Sequence, residues 1–174
     1  MSHSETTEKT LTIPAELEKR VDEVISHYPV SKRSASMPIL HLIQEHFGYI
    51  SQEALLWAAE KLSLQPINLL ELVTFYPMYR QEPAGKHHIR VCRTLSCAMA
   101  GSYDLLDEFC RQLEIDQSAM THHHPVVVSP NQEFSLEFVE CLASCGSGPV
   151  CMINDDFYEN ILPEKVEDLI KRYK

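Results

Sequence analysis

Glycine is scarce in this chain, with only five among 174 residues, and no run of eighteen or more apolar residues occurs, so nothing here spans a membrane as a helix. Positive charge is also in short supply. The formal net charge is -10, which argues against a nucleic-acid partner because phosphate binding requires a basic surface. Neither GxGxxG after a strand nor GxxxxGK followed by Ser or Thr is present, so the chain shows no recognised nucleotide cradle of its own; a nicotinamide or flavin that took part would sit on another subunit. The absence of CxxC removes a thioredoxin-type dithiol. At the amino terminus, MSHSETTEKT has no apolar signal core and no arginine-rich transit character, so the chain reads as cytoplasmic. In a reducing compartment, clustered cysteines are metal ligands or catalysts more often than disulfides.

What is present is an ordinary globular composition, 44% hydrophobic and 23% charged, long enough for one domain or two small ones. The first ten residues are polar with nothing to bury, and residues 1–12 read as a tail. From Ile13 the apolar residues recur at spacings of three and four. Leu17, Val21, Val24, Ile25 and Tyr28 predict one helix, and Ile39, Leu42, Ile43 and Phe47 a second that stops at Gly48. A third carries Leu55, Leu56, Ala59 and Leu62 behind a Ser51 cap, and a fourth carries Leu69, Leu70, Leu72 and Val73. Residues 13–82 therefore read as a helical bundle, with Pro83, Ala84 and Gly85 as the turn that ends it.

Residues 83–174 change character. A strand through His88 to Val91, a helix from about Gly101 to Leu113, strands at Val126–Val128, Phe134–Glu140 and Val150–Asn154, and a last helix from Pro163 make a mixed domain with a short antiparallel pair near its end. The fold class is α+β.

Four of the six cysteines lie in two loops that follow strands, with Cys92 and Cys141 at the strand ends. Cys92 and Cys97 lie in CRTLSC, and Cys141 and Cys145 in ECLASCGSGP, two loops that can converge on one edge of a sheet. Four thiolates, two per iron, are the ligand set of a [2Fe-2S] cluster, and soft sulfur suits iron–sulfur clusters and zinc above other metals. Gly101, Gly146 and Gly148 stand beside these thiols, where backbone can approach a cofactor closely. Zinc and plain burial remain alternatives at this point, although structural zinc sites usually show tighter knuckles. Cys110 and Cys151 fall on apolar faces and read as core residues. His122, His123 and His124 read as a solvated loop, and Phe75, Tyr76 and Tyr79 as packing between domains or against a partner.

On the segments ILHLIQEHFGYIS, VTFYPMYRQEPAGKHHIRVC, CRTLSCAMAGS, LEFVECLASCGSGPV and the helix after LPEKV, in that order, the chain resembles the thioredoxin-like [2Fe-2S] ferredoxin component of NADH:quinone oxidoreductase, respiratory complex I. The likeness runs from about Pro38 to the end. It implies a helical bundle followed by a thioredoxin-like domain, with the family's cluster ligands falling on Cys92, Cys97, Cys141 and Cys145. It further implies an oxidoreductase component without a substrate site of its own. Its partners would be a flavoprotein subunit holding FMN and oxidising NADH, and a larger iron–sulfur subunit, at the cytoplasmic face of the inner membrane without insertion into it. The same module serves NAD-dependent hydrogenases and formate dehydrogenases, and a four-cysteine zinc interaction module is the alternative of a different class. Two departures from the family's pattern stand out: Ala143 where glycine is usual, and Pro130-Asn131-Gln132-Glu133 where an acidic-Gly turn is usual. The interval from Cys97 to Cys141 is also longer than usual.

Overall fold

The structure, a computed structural model, describes residues 11–121 and 124–174. The chain divides into two compact units between Pro83 and Ala84. The first is helical: α1 (Ala15–Ser26), α2 (Ser36–Phe47), α3 (Gln52–Leu62) and α4 (Pro66–Phe75), each packed on its predecessor. Local chemistry sets the ends. Ser51 Oγ accepts from Ala54 N–H at 3.2 Å and caps α3, Pro66 opens α4 at a position that needs no amide hydrogen, and Gly48 closes α2 at φ 81°, a left-handed conformation that only glycine enters without cost.

Leu17 and Val21 of α1, Ile39, Leu40 and Ile43 of α2, Leu55, Ala58, Ala59 and Leu62 of α3, and Leu69 and Val73 of α4 make the core. Two residues expected in it are not there. Leu56 and Leu70 face solvent, because each lies about 100° off the stripe that its neighbours bury. The aromatic stretch that begins at the end of α4 also behaves differently from expectation. Tyr79 is buried in this helical core, where its hydroxyl donates to Met37 O at 3.1 Å and burial pushes its pKa up to about 12. Gln44 of α2 holds the same segment by donating to Met78 O at 2.8 Å and accepting from Arg80 N–H at 2.7 Å, whereas Phe75 is left exposed.

The second unit is a five-stranded sheet carrying helices. Its elements are β1 (His87–Cys92), α5 (Leu95–Met99), α6 (Ser102–Leu113), β2 (Val126–Val128), β3 (Phe134–Val139), β4 (Cys151–Ile153), β5 (Asp156–Tyr158) and α7 (Val166–Lys171). Strand order is β2-β3-β1-β4-β5. Only β1 and β3 run parallel; the β4–β5 hairpin is the expected antiparallel pair, turning at Asn154 with φ 54°. Ile89, Val91, Phe134, Leu136 and Ile153 meet Leu105, Leu106 and Phe109 of α6 and Val166, Leu169 and Ile170 of α7 in one core. The mixed α+β class is therefore as the sequence implied. Gly85 does more than turn the chain: a Cβ there would meet the backbone carbon of Phe134 at 2.4 Å, so the strand β1 enters over the backbone of β3.

The opposite sheet face holds a polar trio with no counterpart in the sequence reading. His88 Nδ1 lies 2.8 Å from Ser135 Oγ and its Nε2 3.1 Å from Glu137 Oε2, all nearly buried. Parallel register sets His88 directly opposite Ser135, so residues far apart in sequence become neighbours. Among the described residues no helix is long and apolar enough to cross a membrane. His122 and His123 lie outside the described residues, as does most of the expected tail.

Candidate metal centre

The parallel pairing of β1 with β3 decides where the four cysteines go. Cys92, the last residue of β1, stands opposite Val139, the last residue of β3, so both chains leave the sheet at the same end and in the same direction. Residues 93–97 and 140–145 are thus carried to one place. The carboxylate of Glu140 accepts from Arg93 Nη2, which joins the first residue after one strand to the first after the other.

Cys97 does not lie in a loop, contrary to expectation. The chain forms α5 after Thr94, and Cys97 is presented from within that helix, 2% exposed. Five residues are too few for a periodic signal, so the sequence offered no warning. Cys92 and Cys97 make a small apolar cluster with Val150, against which Leu142 packs, while Cys141 and Cys145 are exposed.

Sulfur at this site is surrounded by donors. Ala143 N–H donates to Cys141 Sγ at 3.3 Å, and Thr94 Oγ1 lies 3.3 Å from Cys92 Sγ. Burial by itself would raise the Cys92 pKa, but the Thr94 hydroxyl, the amides of Thr94 and Leu142 and the Cys97 thiol together bring it below the usual thiol value. Cys97 moves the other way. Burial and its bond to Cys92 hold its proton on, with repulsion from Cys145 adding to this and the Val150 amide opposing it. The two thiols therefore titrate as a pair, Cys92 giving up its proton more readily than Cys97, and Cys145 acts on Cys97 as well. Among the described residues, no three His, Cys, Asp or Glu side chains are grouped so as to hold a metal ion.

Glycine serves this place unevenly. A Cβ on Gly148 would lie 3.4 Å from both Cα and Sγ of Cys97, so the chain there passes close against the thiol. Gly101 is required for its φ of 99° ahead of α6, whereas a Cβ on Gly146 would meet nothing. Cys110 and Cys151 are core residues of the sheet unit, their thiols pushed up to about 11 and about 12 chiefly by burial, and so are poor thiolates.

Both departures from the resembled pattern are left-handed residues. Gln132 has φ 58° in the turn before β3, and Ala143 has φ 59° between Cys141 and Cys145. A non-glycine residue there costs about 1 kcal/mol or somewhat more. Ala143→Gly is therefore expected to stabilise the metal-free chain by up to about 1 kcal/mol, read as a higher urea midpoint; an unchanged or lower midpoint would contradict the strain.

The model of the thioredoxin-like [2Fe-2S] ferredoxin family matches residues 21–174. The NADH-quinone oxidoreductase E subunit of Rickettsia bellii (strain RML369-C) is 36% identical over 155 residues, which covers 88% of this chain and 88% of that protein. The protein of the same name from Mycobacterium bovis (strain ATCC BAA-935 / AF2122/97) is 32% identical over 156 residues, covering 90% of this chain and 58% of that one. Among solved structures, NAD+-reducing [NiFe]-hydrogenase in the air-oxidized state superposes with a TM-score of 0.65 at 17% identity, over 79% of this chain and 22% of the hydrogenase chain. That likeness is one of fold.

Proposed function

As this chain belongs to the thioredoxin-like [2Fe-2S] ferredoxin family, we propose that it is the one-electron carrier of an NADH:quinone oxidoreductase, with Cys92, Cys97, Cys141 and Cys145 as the cluster ligands. A [2Fe-2S] cluster bound by four thiolates takes up and returns a single electron. The donor set fits such a group: all four residues are thiols, brought to one end of the sheet, with a glycine backbone against Cys97 and amides aimed at sulfur. The register of Cys92 against Val139 carries the reading, because it delivers both thiol pairs to one place.

The chain's own residues supply three things. Cys92 and Cys97 exclude water from one side, while Cys141 and Cys145 leave the other side open toward a partner. Amide hydrogens of Thr94, Leu142, Val150 and Ala143 point at ligand sulfur, which favours added negative charge and raises the reduction potential. The Arg93–Glu140 pair holds the two ligand segments to each other.

The partner in this reading is a flavoprotein subunit that holds FMN and oxidises NADH, beside a larger iron–sulfur subunit at the cytoplasmic face of the inner membrane. Visible absorption and electron paramagnetic resonance of the dithionite-reduced protein, with partners identified by copurification from native cells, form the test. A coloured sample with a one-electron signal is expected. A colourless, silent sample containing zinc would sink the reading, and copurification with a hydrogenase or formate dehydrogenase would reassign the complex.

A further inference from the structure

The segment that carries Cys141 and Cys145 has little backbone bonding of its own. It contains one 3-10 turn, Cys145–Ser147, with Ser147 N–H donating to Ser144 O at 3.2 Å. What holds it is the chain just after β5. Asn160 N–H donates to Ser147 O at 2.8 Å, and Ile161 N–H to Pro149 O at 3.1 Å. Beside these backbone bonds, Oε1 of Glu159 accepts from Ser144 Oγ at 2.5 Å and also from Ser147 Oγ, and the two hydroxyl oxygens lie 2.7 Å apart. Cys145 stands between them in the chain. The two hydroxyls hold the Glu159 carboxyl below the usual carboxylate range, so it carries its charge at neutral pH.

We propose that Glu159 is a positioning residue for the cluster: its carboxylate grips the hydroxyls on either side of Cys145, fixes that thiol for binding iron, and sets a negative charge beside the site. The inference rests on the cluster reading above. Two consequences follow from the geometry. Loss of the acceptor loosens Cys145, since the Ser144 and Ser147 hydroxyls then keep only each other and the backbone bonds at Ser147. Loss of the charge alone makes the added electron less unfavourable and moves the midpoint potential upward.

Glu159 is exposed, so substitution leaves the fold intact, and an unchanged melting temperature of the metal-free chain checks this. The experiment compares Glu159→Ala, Glu159→Gln and the double variant Ser144→Ala/Ser147→Ala in the full chain. In metal-free protein, iodoacetamide labelling followed by mass spectrometry reads the reactivity of Cys145 against Cys141; in loaded protein, chelator extraction and a redox titration are followed. Glu159→Ala and the double serine variant are expected to speed Cys145 labelling and to lose iron about tenfold faster, the lower end for outer partners of metal ligands. Glu159→Gln keeps an acceptor oxygen, so labelling and iron loss return toward wild type while the midpoint potential rises. Wild-type labelling of Cys145 in Glu159→Ala overturns the proposal, as does an unshifted potential in Glu159→Gln. If the wild-type chain takes up no iron, the cluster reading fails by itself, and the labelling of metal-free protein still decides the grip on Cys145.

Discussion

Cys97→Ser is expected to abolish the visible absorbance and the reduced-state resonance, whereas Cys110→Ala and Cys151→Ala retain both. A serine hydroxyl does not ionise at neutral pH and is a hard oxygen donor, so it replaces a thiolate poorly on iron. At Cys97 the loss is compounded, because this thiol is buried against Cys92 and Val150, so the variant puts a hydroxyl into an apolar cluster. Cys110 and Cys151 lie in the core between sheet and helices, and removing their sulfur costs packing only, about 1–2 kcal/mol in urea denaturation. The reverse outcome, colour lost with Cys151→Ala in folded protein and kept with Cys97→Ser, would refute the ligand assignment.

The largest loss of stability is expected from Phe109→Ala. Phe109 of α6 is completely buried in the core shared with Leu105, Leu106, Phe134, Leu136 and Leu169. Truncation removes an aromatic ring from a close-packed interior that relaxes only in part, so the cost combines lost transfer energy with a cavity, about 3–5 kcal/mol. A domain of this size commonly has about 5–15 kcal/mol in total, so the sheet unit would be brought near its unfolding threshold. Urea denaturation of the metal-free chain, followed through a probe in the sheet unit, measures it. A loss under about 1 kcal/mol would mean that α6 does not pack as described.

Much of the fold was legible because burial leaves a periodic trace one element at a time. The stripe Leu105, Leu106, Phe109 and Leu113 located α6, and Val166, Leu169 and Ile170 located α7, since one face of each helix meets the sheet. Over-reading arose from the same rule: Leu56 and Leu70 are apolar but off the stripe, and hydrophobicity without phase placed them inside. Two features left no local trace at all. α5 is too short to show a period, so Cys97 read as loop, and Tyr79 returns to the helical core through contacts with α2 some forty residues earlier.

Four cysteines, their spacing and the glycines beside them were read from the chain alone, and so was the soft-sulfur chemistry that such a set can hold; these depend on residue type and on neighbours in sequence. Convergence of the two thiol pairs did not. It follows from β1 lying parallel to β3 with Cys92 against Val139, a register chosen by packing between strands more than forty residues apart. The same pairing buried His88 against Ser135 and Glu137, and a separate return of the chain after β5 set Glu159 against Ser144 and Ser147. Side-chain chemistry is written residue by residue, but which groups meet is settled only when non-local burial selects one pairing of strands.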